Sequence, residues 1–131
     1  MATMTRTVRE DAAQERTKEL VLSKAVVRAA EHLDISGKVL AEILGLSEAT
    51  VSRMRSGQYL LAGADKSFEL AALFVRLFRS LDAITGGDDE SSRSWLRSEN
   101  TVLRARPIDF IQTIRGLTET VMYVDSRRAK I

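Results

Sequence analysis

Apolar side chains recur along this chain at helical spacing, in blocks set apart by polar or glycine punctuation. Leu20, Leu22, Val26, Val27, Ala30 and Leu33 mark one face of an amphipathic helix that ends before Asp34 and Gly37. Val39, Leu40, Ile43 and Leu44 mark a second, shorter helix, which Ser36 caps from its N-terminal side. Gly45 stops it, because glycine tolerates the left-handed conformation of a sharp stop, and the chain turns within Gly45 and Leu46. Ser47 caps a third helix at once. Glu48 sits where the helix dipole favours an anion, Val51 and Met54 join Leu46 on the buried side, and Gly57 closes the helix. Tyr59, Leu60 and Leu61 continue as an apolar connection.

The strongest helical pattern lies between Asp65 and Ile84. One stripe is Leu70, Leu73, Phe74, Leu77, Leu81 and Ile84; a second is Phe68, Ala71, Ala72, Val75 and Phe78. Only Glu69, Arg76 and Arg79 form a polar strip between them. A helix this apolar is buried on two sides, either between subdomains or against a second copy of itself. Beyond it, Gly86, Gly87, Asp88, Asp89 and Glu90 read as an acidic loop. Trp95 and Leu96 lie on a short helix, and Pro107 opens another through Ile108, Phe110, Ile111 and Ile114 that Gly116 stops. Thr118 is placed to cap a last helix. Leu117 and Met122 would then staple its start, Val121 and Val124 continue the buried stripe, and Arg127, Arg128 and Lys130 fall in the final turn, where cations suit the dipole.

The stretch from Gly37 to Gly57 is the most informative. Its two helices cross over a short turn, and Ala41 with Gly45 supplies the small side chains that a close crossing requires. It reads as a helix-turn-helix, a device for entering a DNA groove; the alternative is an ordinary helical hairpin within a bundle. The combination of small residue, turn glycine and apolar anchors resembles the Cro/Xre class of helix-turn-helix proteins. That resemblance makes Ser47, Glu48, Ala49, Thr50, Ser52 and Arg53 the reading face. Arg53 is suited to a guanine edge, Ala49 to a thymine methyl and Glu48 to a cytosine amino group. Ser47, Thr50, Arg55 and Gln58 are suited to phosphate.

Composition narrows the function classes. A chain of 131 residues, 44% of them hydrophobic, holds one compact domain or two small ones sharing a core. No apolar run approaches a bilayer span and the first residues lack an apolar signal core, so a cytoplasmic location and no membrane partner are expected. The absence of cysteine excludes disulfides and thiolate metal sites. Net charge is +2 and the isoelectric point about 9.2, a mild basicity that does not by itself indicate nucleic-acid binding. His32 is the one histidine, and there is no glycine-rich phosphate loop and no paired carboxylate outside the acidic turn. No catalytic residue, cofactor or metal is therefore expected. Residues 1–19 are polar and mixed in charge and read as a flexible arm or frayed helix, either solvated or in contact with DNA.

A second resemblance covers the last third to half of the chain. Trp95-Leu96, Asn100, Leu103, Arg106-Pro107-Ile108, Phe110, Thr113, Gly116 and Val121 are similar to the C-terminal toxin-binding domain of the Xre/MbcA/ParS-like antitoxins. Two departures stand out: Arg104 and Ala105 occupy a place where that family often has a glycine pair, and the sequence ends soon after its last helix. The resemblance implies an all-α fold, with an arm over 1–19, a helix-turn-helix domain over 20–66 and a toxin-binding domain over 67–131 that includes the long central helix. It implies an antitoxin of a type II pair whose partner is a RES-type toxin acting on NAD, neutralised sterically, with repression of its own operon through the helix-turn-helix. The toxin-facing residues it suggests are Trp95, Arg104, Arg106, Tyr123, Arg127, Arg128 and Lys130. The basic end is suited to guarding a pocket made for an anionic dinucleotide. Operator DNA is the other partner, and two half-sites call for a homodimer that joins the toxin in a larger complex. Some antitoxins of this class use the helix-turn-helix mainly for assembly. A stand-alone regulator without a toxin partner is the alternative function.

Overall fold

The computed structural model describes residues 2–129, with side chains described from residue 7 onward; Lys130 lies outside the described residues. Among them the chain forms α1 (Ala2–His32), α2 (Gly37–Leu44), α3 (Glu48–Arg55), α4 (Lys66–Ile84), α5 (Asp89–Arg97), α6 (Pro107–Phe110) and α7 (Ile114–Ala129). The all-α expectation holds, the nearest approach to a sheet being one isolated bridge between Asn100 and Ala105.

α1 begins far earlier than its apolar stripe. Residues 2–19 contain neither glycine nor proline, so nothing breaks the helix even though no apolar face announces it. The arm is thus a helical extension, exposed from Thr7 to Lys18. It becomes anchored where polar side chains meet the connection before α4. A Glu19 carboxylate oxygen accepts the Gly63 N–H at 2.6 Å, and the buried Ser23 hydroxyl accepts the Leu61 N–H at 2.9 Å.

α2 and α3 form as their caps dictate. Ser36 accepts the Val39 N–H, and Ser47 accepts the Thr50 N–H. Gly45 sits at φ 68°, yet a Cβ there would meet nothing nearer than Leu70 Cδ1 at 3.9 Å. Its value is backbone conformation alone, and the small residue within the pair is the buried Ala41.

α4 is the central element. Phe74, Leu77, Leu81 and Ala71 are almost fully buried among α1, α2, α5 and α7, so both apolar stripes are covered largely within one chain. The acidic run is not a loop but the start of α5. Asp88 accepts the Glu90 N–H at 3.2 Å and the Ser91 hydroxyl at 2.7 Å, and Asp89 and Glu90 lie in the first turn. The Ser91 hydrogen bond is the main cause that holds the Asp88 carboxyl below its ordinary pKa. This contribution is present above the unfolded value and is lost as pH falls through the lowered one.

The C-terminal punctuation differs from the sequence reading. α6 stops at Phe110, and Gly116 does not end a helix: it lies buried in the first turn of α7, where a Cβ would overlap the Phe110 carbonyl oxygen. Thr113 rather than Thr118 closes that turn, its hydroxyl accepting the Gly116 N–H at 2.9 Å; Thr118 donates to Ile114 O within the helix. Met122 is exposed, so it forms no staple with the buried Leu117. Ahead of α6, Asn100 Oδ1 accepts the N–H groups of Val102 and Leu103, and Arg104 itself takes the left-handed conformation at φ 59°. This is how the turn forms without a glycine pair.

Two variants test these backbone constraints. Gly116→Ala is expected to cost about 3 kcal/mol and lower the melting temperature by roughly 10 °C. Arg104→Gly removes the left-handed strain and is expected to stabilise by about 1 kcal/mol, read from the denaturant midpoint.

Candidate functional site

The exposed face of α3 carries the residues that the helix-turn-helix pattern singles out. Ser47, Glu48, Ala49, Ser52, Arg53, Arg55 and Gln58 are exposed and Thr50 is half-buried. The Ser47 hydroxyl donates to Thr50 Oγ1 at 2.9 Å, and Arg53 Nη2 donates to the same oxygen at 3.0 Å. One corner of the exposed Arg53 guanidinium is thereby held along the helix, which leaves less side-chain entropy to lose on engaging an acceptor. Arg55 is turned the other way. Its Nη2 donates to the Ile35 carbonyl at 2.9 Å, so it braces α3 against the loop between α1 and α2. Gln58 follows Gly57, in a turn fixed by its N–H donating to Arg53 O at 2.7 Å.

The second group of residues divides between two sides of α7. Trp95 of α5 and Tyr123 of α7 stack with centroids 6.4 Å apart and planes 12° from parallel. The Arg127 guanidinium lies 5.9 Å above the Tyr123 ring. These three make a half-exposed aromatic ladder capped by a cation, a rigid platform with a charge at its edge. Arg128 is not part of it. It lines a groove between α1, α4 and α7 instead. Arg106 is engaged with Asp109 through two hydrogen bonds of 2.9 and 3.1 Å, which raise its pKa, and Arg104 stands exposed on the turn before it. Met122 and Ile114 of α7 and Val102 are exposed apolar side chains of the same half that the pattern-based reading assigned to buried roles or passed over.

A third set, absent from the sequence reading, joins the two halves. Arg93 Nε donates to His32 O at 2.7 Å and its Nη2 to Glu31 O at 3.3 Å. Arg97 Nη1 donates to Leu33 O at 3.1 Å and its Nη2 to Asp34 O at 2.7 Å. Two arginines of α5 thus satisfy the carbonyls that α1 leaves open at its C-terminus. His32 stacks on Phe78 at 5.2 Å, and its Nδ1 lies 2.8 Å from Asp89 Oδ2. The paired residues are more than forty positions apart in sequence, and no local signal links them.

Among the described residues there is no cluster of ligating side chains arranged for a metal, and no helix is long and apolar enough to cross a membrane.

Comparison with known families locates two matches. Residues 12–76 match the antitoxin Xre-like helix-turn-helix domain, and residues 80–130 match the antitoxin Xre/MbcA/ParS C-terminal toxin-binding domain. The two meet inside α4, and together they span α3 and the aromatic ladder. No curated protein matches the chain.

The junction has a measurable consequence. Arg97→Ala leaves the Leu33 and Asp34 carbonyls without these donors and is expected to cost about 1–3 kcal/mol, read as a lower urea midpoint at unchanged slope.

Proposed function

The chain belongs to the family of Xre/MbcA/ParS-like antitoxins, and on that premise we propose that it neutralises a RES-type, NAD-consuming toxin and represses its own operon. The ladder of Trp95, Tyr123 and Arg127, lying within the residues that match the toxin-binding domain, is the observation that favours this reading most. Stacked aromatics with an adjacent arginine are the side chains that anchor protein interfaces, because they bury large area at little entropic cost. Met122, Ile114 and Val102 extend this surface with exposed apolar groups.

Inhibition is steric. The C-terminal helices cover the toxin's entrance, and Arg127 offers a guanidinium to a pocket shaped for an anionic dinucleotide. Arg104 belongs to the rim of that contact, whereas Arg106 is held by Asp109 and serves the turn. No chemistry is required of the antitoxin. It acts by occupancy in the cytoplasm, as a non-enzymatic regulator.

Repression uses the α3 face. Arg53 reads a base, with Glu48, Ala49 and Ser52 beside it; Ser47, Thr50 and Gln58 lie toward the backbone, and Arg55 sets the helix angle. Two copies present two recognition helices to an inverted repeat.

The two activities separate by mutation. Arg53→Ala is expected to weaken operator binding about tenfold or more in a gel-shift series, with the logarithm of affinity falling linearly with the logarithm of salt concentration, and to leave toxin neutralisation intact. Arg127→Glu is expected to abolish rescue of growth on co-expression with the adjacent toxin gene while operator binding persists. Failure of the wild-type chain to co-purify with that gene product would overturn the antitoxin reading, and equal operator binding by Arg53→Ala would overturn the recognition-helix assignment.

A further inference from the structure

A groove of about 900 Å³ runs between α1, α4 and α7. Val21, Leu22, Ala25, Ala72 and Val75 form its apolar part, and Lys18, Arg76, Arg79 and Arg128 stand around it against a single carboxylate, Asp125. That carboxylate is already engaged: Asp125 Oδ2 lies 2.5 Å from Arg76 Nη2, and its Oδ1 accepts the Ser80 hydroxyl at 2.7 Å. Arg79 and Arg128 have no ion-pair partner among the described residues. The groove is therefore an apolar slot with unneutralised positive charge.

Its surface does not end at α4 and α7. A second, shallower depression lined by Ala13, Gln14, Thr17 and Lys18 shares two residues with it, so one continuous face passes from the groove onto the N-terminal half of α1. That face follows helical spacing, Ala13, Thr17, Val21 and Ala25, with Glu10 continuing it one turn earlier through Gln14. The same half of α1 is exposed for twelve residues, Thr7 to Lys18, about 18 Å of helix at 1.5 Å per residue. A polar stretch of this length is marginal as a helix unless something packs on it. It carries Glu10 and Asp11, neither paired among the described residues.

We propose that this groove is a self-association surface that receives the N-terminal half of α1 from a second copy of the chain, the two α1 helices lying antiparallel. The charges are complementary, with the partner's Glu10 and Asp11 entering the field of Arg76, Arg79 and Arg128. The geometry is self-complementary as a two-fold contact demands, because each chain supplies both the groove and the helix that fills it. Antiparallel pairing keeps the sum of facing residue numbers constant. The shared face from Ala13 to Val21 is centred on Thr17, so the two-fold axis passes near Thr17. This identifies the surface for the homodimer of the functional reading above, and it lies apart from both α3 and the Trp95 ladder.

Self-association of the full chain without DNA or toxin tests the proposal separately from that reading. Sedimentation equilibrium is expected to show a dimer. Val21→Glu places an unpaired charge at a position exposed in the single chain, and is expected to weaken the dimer about tenfold or more while the monomer still unfolds cooperatively. Arg79→Glu is expected to do the same. Because the chain contains no cysteine, Thr17→Cys is expected to form a disulfide-linked dimer on mild oxidation, and Thr118→Cys on α7 is not. A wild-type chain that stays monomeric at high concentration overturns the proposal. So does a dimer that Val21→Glu leaves intact, including one in which that variant loses toxin or DNA binding instead, or Thr17→Cys linking no faster than Thr118→Cys.

Discussion

The C-terminus of α1 leaves carbonyls that no helix can satisfy from within, and the way they are closed ties the molecule together. Backbone N–H groups of Leu33, Asp34 and Ile35 turn back onto Ala29, Glu31 and Ala30, with Asp34 in a left-handed conformation. The carbonyls of residues 31–34 then receive Arg93 and Arg97, and the carbonyl of Ile35 receives Arg55. One five-residue segment thus holds α5 from one side and α3 from the other. Because guanidinium donors are charged and the acceptors sit at the negative end of a helix dipole, these bonds are stronger than neutral ones.

α4 explains why such a junction can be so local. α2, α3 and α5 are eight or nine residues long and α6 is four, all below the length at which a helix is stable in water by itself. They persist through packing on their neighbours: α2 and α5 lie against α4, whose Phe74, Leu77 and Leu81 are inaccessible to solvent or nearly so, α3 lies against α2 and α1, and α6 against α5 and α7. α7 covers the side that α1 and α2 do not. The two proposed functional surfaces are consequently mounted on opposite halves of one core. α3 is held by its caps and Arg55, and the Trp95–Tyr123 ladder by the packing of α5 and α7 around α4.

Much of this was readable before the fold was known, wherever a local rule acts. Ser36 and Ser47 as caps, Gly45 as a left-handed stop, the buried Val51 and Met54, and the two-sided pattern of α4 all follow from side-chain chemistry within a few residues. The reading failed where partners come from elsewhere. Gly116 looked like a stop because glycine usually ends helices, but here it is required by the approach of the Phe110 carbonyl. The acidic run looked like a loop because charge dominates composition, although Asp88 is a cap with a hydroxyl partner three residues on. Residues 2–19 lack an apolar face and read as either a flexible arm or a frayed helix; the structure has the helix, and the pattern left the choice open because it reports burial and not helicity.

The sequence by itself determined the all-α class, the helix-turn-helix and the aromatic and proline landmarks of the C-terminal half, because caps, stops and stripes are properties of neighbouring residues. Only the tertiary structure decided what the arginines do. Six of them look alike as exposed cations in a sequence, yet Arg53 rests on Thr50, Arg55 braces Ile35, Arg93 and Arg97 close α1, Arg127 caps Tyr123 and Arg128 borders the groove. A long charged side chain takes its role from whichever acceptor or ring lies within its reach, and that is set by packing between elements far apart in the chain.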